Sequence, residues 1–504
     1  MSLQPTTVTV TQDHRGRLAS DTGWNIIGQM LPLLVGILTV PALIRALGME
    51  RFGFITIIWV LIGYAGVFDF GIGRALIRSV AARLSRGDQR GAEQISSVGM
   101  GFLAIFGVLV GAAFVAGSNW IVRTGLHMPQ ELQAEAHTAL LLLALSIPFV
   151  MVTNGYVGIL SAYRQFKGMN LVKASLGIVT YIGPLLVAMW HNRLDWVVAM
   201  VVAMRVIATL AHLVLCQRLC GFSALPRYPD RAAAAELFAL GGWISVSNLI
   251  GPLMSYLDRI LLSGLVPIRM VPFYSTPFDL ISKTMILPYS LMGAIFPIAT
   301  GLGPGTDASR RLLSESVRLL YLLMFPLLFV FFALARPGLR LWLGDEFADR
   351  GTAVLQLLAV GTFLNALAQG PAMLIQSAGK PSWMAKLHLI ELPIFVGVLV
   401  LLTAQLGIVG AALASALRSG LDALAVFVLA RRGVAHGPMR MKPAVMPGLL
   451  AIVMFTLAAW PVADVMSVAI CLGGLLTIIV FSWVVILQPS ERLRLRNLTF
   501  GAST

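Results

Sequence analysis

Ten charged residues fall inside apolar stretches of this 504-residue chain, and their chemistry needs a reason. The cations are Arg74, Arg205, Arg259, Lys283 and Arg418, and the acids are Asp69, Asp258, Asp279, Glu391 and Asp422. A charge at the centre of a membrane span costs at least about 2.5 kcal/mol on insertion scales, so such groups face a bundle interior or an aqueous cavity. A cavity holding several guanidinium and ammonium groups suits an anionic substrate, because these groups pair strongly with phosphate. The acids would keep that cavity from being overwhelmingly positive, and they are the natural places for a coupling ion, H+ or Na+, to exchange.

Spacing sorts these residues. Asp279 and Lys283 lie four apart, as do Arg418 and Asp422, so each pair can satisfy itself on one helix face. Asp258 and Arg259 are neighbours that point about 100° apart, so at least one needs a partner on another helix. Arg205 lacks a same-helix partner and reaches Asp195 only if its span is shifted. Glu391, near His388, can carry a proton or be a satisfied group near a helix end. Asp69 and Arg74, in Asp69-Phe-Gly-Ile-Gly-Arg74, can cap a helix end and snorkel to headgroups.

The elements that must position these charges are membrane helices. The chain is 58% hydrophobic and 12% charged, which leaves too little polar surface for a soluble fold of this size. Fourteen segments are long enough to cross a bilayer: 24–46, 53–77, 95–118, 137–160, 173–190, 196–219, 238–263, 271–299, 317–336, 352–376, 385–404, 407–430, 444–463 and 466–487. Of the 37 Lys and Arg residues, 24 fall in gaps facing one side, 8 face the other, and five lie within spans. That excess marks the cytoplasmic face, which places both termini inside and makes the span count even. The formal charge of +15 is thereby an orientation signal that meets anionic lipid, not a nucleic-acid footprint. Cys216, Cys220 and Cys471 form no disulfide framework and read as small apolar side chains. The first 23 residues lack the apolar core and cleavage site of a signal peptide, so the stretch Trp24 to Ala46 is expected to be retained.

An internal echo points to two halves. Gly23-Trp24 with Pro32 opens the first span, and Gly242-Trp243 with Pro252 opens the seventh. The expected organisation is a cytoplasmic segment 1–23, an N-lobe of six spans over 24–219, a linker 220–237 and a C-lobe of six spans over 238–430. A basic loop 431–443, two further spans over 444–487 and a cytoplasmic tail 488–504 follow. Parallel repeats of this kind occur in transporters whose substrate site lies between the halves. Pro277, Pro288 and Pro297 predict a bent eighth span. No gap is long enough for a catalytic domain, and no phosphate loop, zinc spacing or nucleophile elbow stands out, so an enzyme is not expected.

Four stretches carry a resemblance. They are Leu43-Ile-Arg-Ala-Leu-Gly-Met-Glu-Arg-Phe-Gly53 with the run before it, and Asp69-Phe-Gly-Ile-Gly-Arg74. The third is Leu257-Asp-Arg-Ile-Leu-Leu262 with Val271-Pro-Phe-Tyr274 and Phe296-Pro297, and the fourth is Ser377-Ala-Gly-Lys-Pro381 with Leu406-Gly-Ile-Val-Gly-Ala-Ala412. In order and spacing they resemble the polysaccharide-exporter branch of the multidrug/oligosaccharidyl-lipid/polysaccharide (MOP) superfamily, the Wzx-type O-antigen flippases. The resemblance implies an all-α, MATE-like membrane fold of two six-helix lobes around a central cavity, with two extra C-terminal helices. It further implies ion-driven export of an undecaprenyl-diphosphate-linked sugar unit across the bacterial cytoplasmic membrane, without a cofactor. The implied partners are that lipid-linked oligosaccharide, membrane lipids and polysaccharide polymerase or assembly proteins, with no nucleic acid and a monomeric chain. Two alternatives stay open: a cation-coupled drug or metabolite exporter, and a membrane-embedded polymerase. Against the first, Trp24 to Ile44 contains no acid; a Ser-Arg-x-x-Gly signature of lipid II flippases is also absent from the first span.

Overall fold

The computed structural model describes residues 12–65, 69, 71–221, 235, 237, 254, 256–303, 305–434, 442–460 and 462–486. Regular structure among the described residues is entirely helical. Ten of these helices are long and apolar enough to cross a membrane, and a shorter apolar helix runs Met446–Ala458. Large apolar side chains point outward along them, with Leu38 78%, Trp190 84% and Ile479 63% exposed, as a lipid-facing surface requires. Most of the expected seventh span lies outside the described residues, together with Gly242, Trp243 and Pro252. So do residues 1–11, most of the linker 220–237, residues 435–441 and the tail from 487.

The chain divides into two compact units, one of residues 1–256 with 267–269, the other of 257–266 with 270–504. The first contains α1 (Gln12–Ala65), α2 (Ile72–Leu84), α3 (Gln89–Trp120), α4 (Gln130–Ala162), α5 (Phe166–Trp190) and α6 (Leu194–Cys220). Small residues set its helix spacing. A Cβ on Gly107 of α3 would lie 2.5 Å from Pro148 Cα of α4, and one on Gly111 would lie 2.8 Å from the Ala144 carbonyl oxygen. Backbones this close gain dispersion contacts that lipid cannot replace. At one end Arg51 grips Glu135 through two hydrogen bonds of 3.0 and 3.1 Å, and Glu135 Oε2 also accepts the Leu194 N–H at 3.1 Å. One clamp thus joins α1, α4 and the start of α6.

The second span departs from expectation. Its helix is described as far as Ala65, and α2 begins afresh at Ile72 after a turn at Gly71, so the helix does not run unbroken to residue 77. Asp69 Oδ1 accepts the Gly71 N–H at 2.8 Å, and Gly71 sits at φ 74°, in the left-handed region. A short acidic side chain that captures a backbone N–H competes with the helix, and glycine accepts the resulting turn without a Cβ clash.

The second unit contains α7 (described over 256–265, its first residue assigned to the first unit), α8 (Pro272–Ser282), α9 (Ile286–Thr300), α10 (Asp307–Ala333), α11 (Ala335–Leu343) and α12 (Asp345–Ser377). It continues through α13 (Pro381–Gly433), α14 (Lys442–Ala458) and α15 (Asp464–Phe481). The expected eighth span is broken as its prolines predict. A 3-10 turn at Lys283–Met285 separates α8 from α9, and Pro288 lacks the N–H that would have bonded the Thr284 carbonyl. α13 holds the expected eleventh and twelfth spans, bent at Gly407 (φ 59°), where a side chain would be strained. The two halves fold back on each other: Lys380 Nζ donates to the Gly433 carbonyl at 2.9 Å, and Trp383 packs directly on Gly433. α14 is held by aromatic packing, with Phe455 lying 4.9 to 6.3 Å from the rings of Phe325, Phe329, Phe332 and Phe363. Tyr321 Oη donates to the Pro447 carbonyl at 3.0 Å. α15 packs Gly474 on Phe329, and its first residue, Asp464, accepts from Arg340 at 3.0 Å.

Candidate functional site

Seven of the ten span charges belong to the second unit, and Asp69, Arg74 and Arg205 to the first. In the first unit Asp69 caps the start of α2, and Arg74 lies exposed one turn on, near enough to act on the Asp69 charge. Arg205 is half-buried in α6, and its Nε has no hydrogen-bond acceptor among the described residues. Asp195 is out of its reach and pairs with Arg193 at 2.7 Å. These three residues do not form one cluster.

The second unit does gather charges. On α7, Asp258 and Arg259 are 2% and 4% exposed, and they diverge as neighbours on a helix must. Asp258 Oδ2 accepts from Tyr274 Oη of α8 at 2.5 Å, while Tyr274 Oη also lies 3.1 Å from Ser415 Oγ of α13. Arg259 reaches the other way, its Nη1 donating to Asp279 Oδ1 at 2.7 Å and its guanidinium lying 4.6 Å from the Phe278 ring centre. Asp279 therefore pairs across helices with Arg259 and not with Lys283. Lys283 lies at the C-terminal end of α8 and is exposed.

The second half of α13 carries Arg418 and Asp422, which also do not pair with each other. Arg418 lies over the Phe395 ring at 5.3 Å and acts electrostatically on Asp258 and Glu391. Asp422 instead faces the first half of the same helix, with its Oδ1 3.5 Å from His388 Nε2. Glu391, one turn beyond His388, completes a group in which one ligand atom from each residue lies within 4.8 Å of the others. Partner identity in both cases follows from helices crossing, which i,i+4 spacing cannot report. Tyr274, Ser415, Phe278 and Phe395 hold these charges in place without being charged themselves. Only Tyr274 stood out in the sequence, as part of Val271-Pro-Phe-Tyr274.

The arrangement supplies one buried arginine, Arg259, and one half-buried arginine, Arg418, each against an aromatic ring, and a separate pair of carboxylates beside an imidazole. That combination can hold an anion and exchange a cation or proton. Residues 18–302 match the family described as polysaccharide biosynthesis protein. The chain belongs to that family. A Shigella flexneri protein named "Putative O-antigen transporter" is 29% identical over 401 residues, which cover 80% of this chain and 94% of that protein. A Bacillus subtilis (strain 168) protein, "Uncharacterized membrane protein EpsK", is 23% identical over 366 residues, 70% of each chain. Among solved structures, the lipid II flippase MurJ in an inward closed conformation superposes with TM-score 0.70 at 13% identity, covering 92% of this chain and 99% of that one. An inward-facing multidrug resistance MATE transporter of the MOP superfamily gives TM-score 0.66 at 13% identity, covering 82% and 97%. This member of the polysaccharide biosynthesis family is thus an all-α, multi-pass membrane protein with the fold of MOP-superfamily transporters.

Proposed function

We propose that the chain is a flippase that moves a diphosphate-linked lipid oligosaccharide, of the undecaprenyl type, across the bacterial cytoplasmic membrane for surface polysaccharide assembly. Transport, not catalysis, is its activity. The observation that carries this reading is the 29% identity to the Shigella protein over 94% of that protein's length. Chemistry supports it: Arg259 and Arg418 are fixed cations inside spans, and Arg418 has no ion pair with a described residue, so a diphosphate would find a charge not already neutralised. Arg74, Arg205 and Lys283 are the further cations assigned to substrate binding in this reading. Glu391 and Asp422, with Asp69, Asp258 and Asp279, are the groups through which H+ or Na+ would couple. The basic bias of alternate loops supports cytoplasmic termini and contact with anionic lipid. A polysaccharide polymerase is the partner expected to consume the product, and the working unit is a monomer.

The test is Arg259→Gln combined with Arg418→Gln in a bacterium whose own copy is deleted. Membrane levels of the protein should be unchanged, while lipid-linked repeat units accumulate on the cytoplasmic leaflet and surface polysaccharide falls. Normal surface polysaccharide at normal protein level would overturn the assignment. Gradient-driven dye efflux from proteoliposomes would move the chain to the drug exporters.

A further inference from the structure

Among the described residues, no hydrogen-bond donor reaches three carboxylate oxygens buried in the second unit: Glu391 Oε1, Glu391 Oε2 and Asp422 Oδ1. Asp422 is 7% exposed. Buried acceptors without donors are rare, and an ion is one of the few things that accounts for them. His388 Nε2 stands 3.5 Å from Asp422 Oδ1, too long for a strong hydrogen bond. It is close to the roughly 3.4 Å between two ligand atoms bound to one tetrahedral ion at about 2.1 Å. Glu391 brings a third ligand atom into the same group, with all three within 4.8 Å of one another.

Charge points the same way. Among the span charges of this unit that are not exposed, the carboxylates are Asp258, Asp279, Glu391 and Asp422, and the cations are Arg259 and Arg418. The formal balance is two negative charges, which one divalent cation neutralises. The nature of the ligands narrows the ion. Magnesium and calcium take oxygen ligands, whereas an imidazole nitrogen with two carboxylate oxygens suits zinc and its first-row neighbours.

We propose that His388, Glu391 and Asp422 form a binding site for a divalent transition metal of the zinc class, with water completing the coordination. The ion would bridge the two halves of α13 and occupy the carboxylates that ion coupling would use, so it would inhibit transport. The site shares Glu391 and Asp422 with the coupling reading above, but binding is measured without transport, so either can fail alone.

The experiment uses the full chain, purified in detergent and stripped with a chelator, then titrated with Zn2+ in a calorimeter. X-ray absorption at the zinc edge reads the ligands. The expected result is one tight equivalent with nitrogen and oxygen ligation. It should be lost in the combined variant His388→Ala, Glu391→Gln, Asp422→Asn, and Mn2+ or Co2+ but not excess Na+ should compete. His388→Gln alone, which keeps both carboxylates, should weaken binding about tenfold or more with an unchanged elution profile. That variant decides the matter if the combined one does not fold. Unchanged zinc affinity in His388→Gln, sulfur ligation, or displacement by Na+ would each overturn the proposal.

Discussion

Tyr274→Phe removes one oxygen atom from the interior of the second unit, and its effect can be worked out in advance. Tyr274 is fully buried and Asp258 is 2% exposed, so water cannot replace the hydroxyl. A hydrogen bond to a charged group contributes about 1.5–3 kcal/mol, and that is the gross loss at Asp258 Oδ2. Ser415 Oγ stands 3.5 Å from the same oxygen and, freed from Tyr274, can turn to donate, which restores about 1 kcal/mol. The net destabilisation is therefore about 0.5–2 kcal/mol. It should grow when Ser415→Ala is added and shrink when Asp258→Asn has already made the acceptor neutral. Equilibrium unfolding in mixed dodecylmaltoside and dodecyl sulfate micelles supplies the free energies for a double-mutant cycle. Equal losses with Asp258 intact and with Asp258→Asn already in place would refute the reasoning, since the tyrosine would then be packing and not holding the carboxyl.

Two other substitutions probe the framework. Gly410→Ala places a Cβ 1.9 Å from the Leu402 carbonyl oxygen, a clash no rotamer relieves, so membrane-inserted protein should fall sharply while Gly397→Ala, in open space on the same helix, leaves it unchanged. Glu135→Gln takes the charge from a carboxylate whose side chain is 16% exposed and keeps its shape; a loss of about 1–3 kcal/mol in the same unfolding assay is expected, and none if Arg51 is held by solvent alone.

How legible all this was depends on what sets each feature. Hydropathy is a property of local sequence, and it located the helices from α3 to α6 and the paired spans of α13, although α3, α4 and α5 start six or seven residues before the expected spans. The break before α2 was less legible, because it depends on one Asp69 side chain bonding a backbone N–H two residues away. The need of Asp258 and Arg259 for separate partners could be read from their adjacency. Which partners they take, Tyr274 and Asp279, could not, because contacts between helices are set by tertiary packing. Asp279 pairs with Arg259 and not with Lys283 for the same reason, since its partner comes from another helix.

The fold-back of α13 at Gly407 makes that residue the pivot of a lever. His388 lies nineteen residues before it, about 28 Å of helix away at 1.5 Å per residue, and Asp422 lies fifteen residues after it. A change of about 10° in one Gly407 dihedral would swing the far end of that arm by about 5 Å. The 3.5 Å approach of His388 to Asp422 is then a sensitive reporter of an angle set at the opposite end of the helix pair.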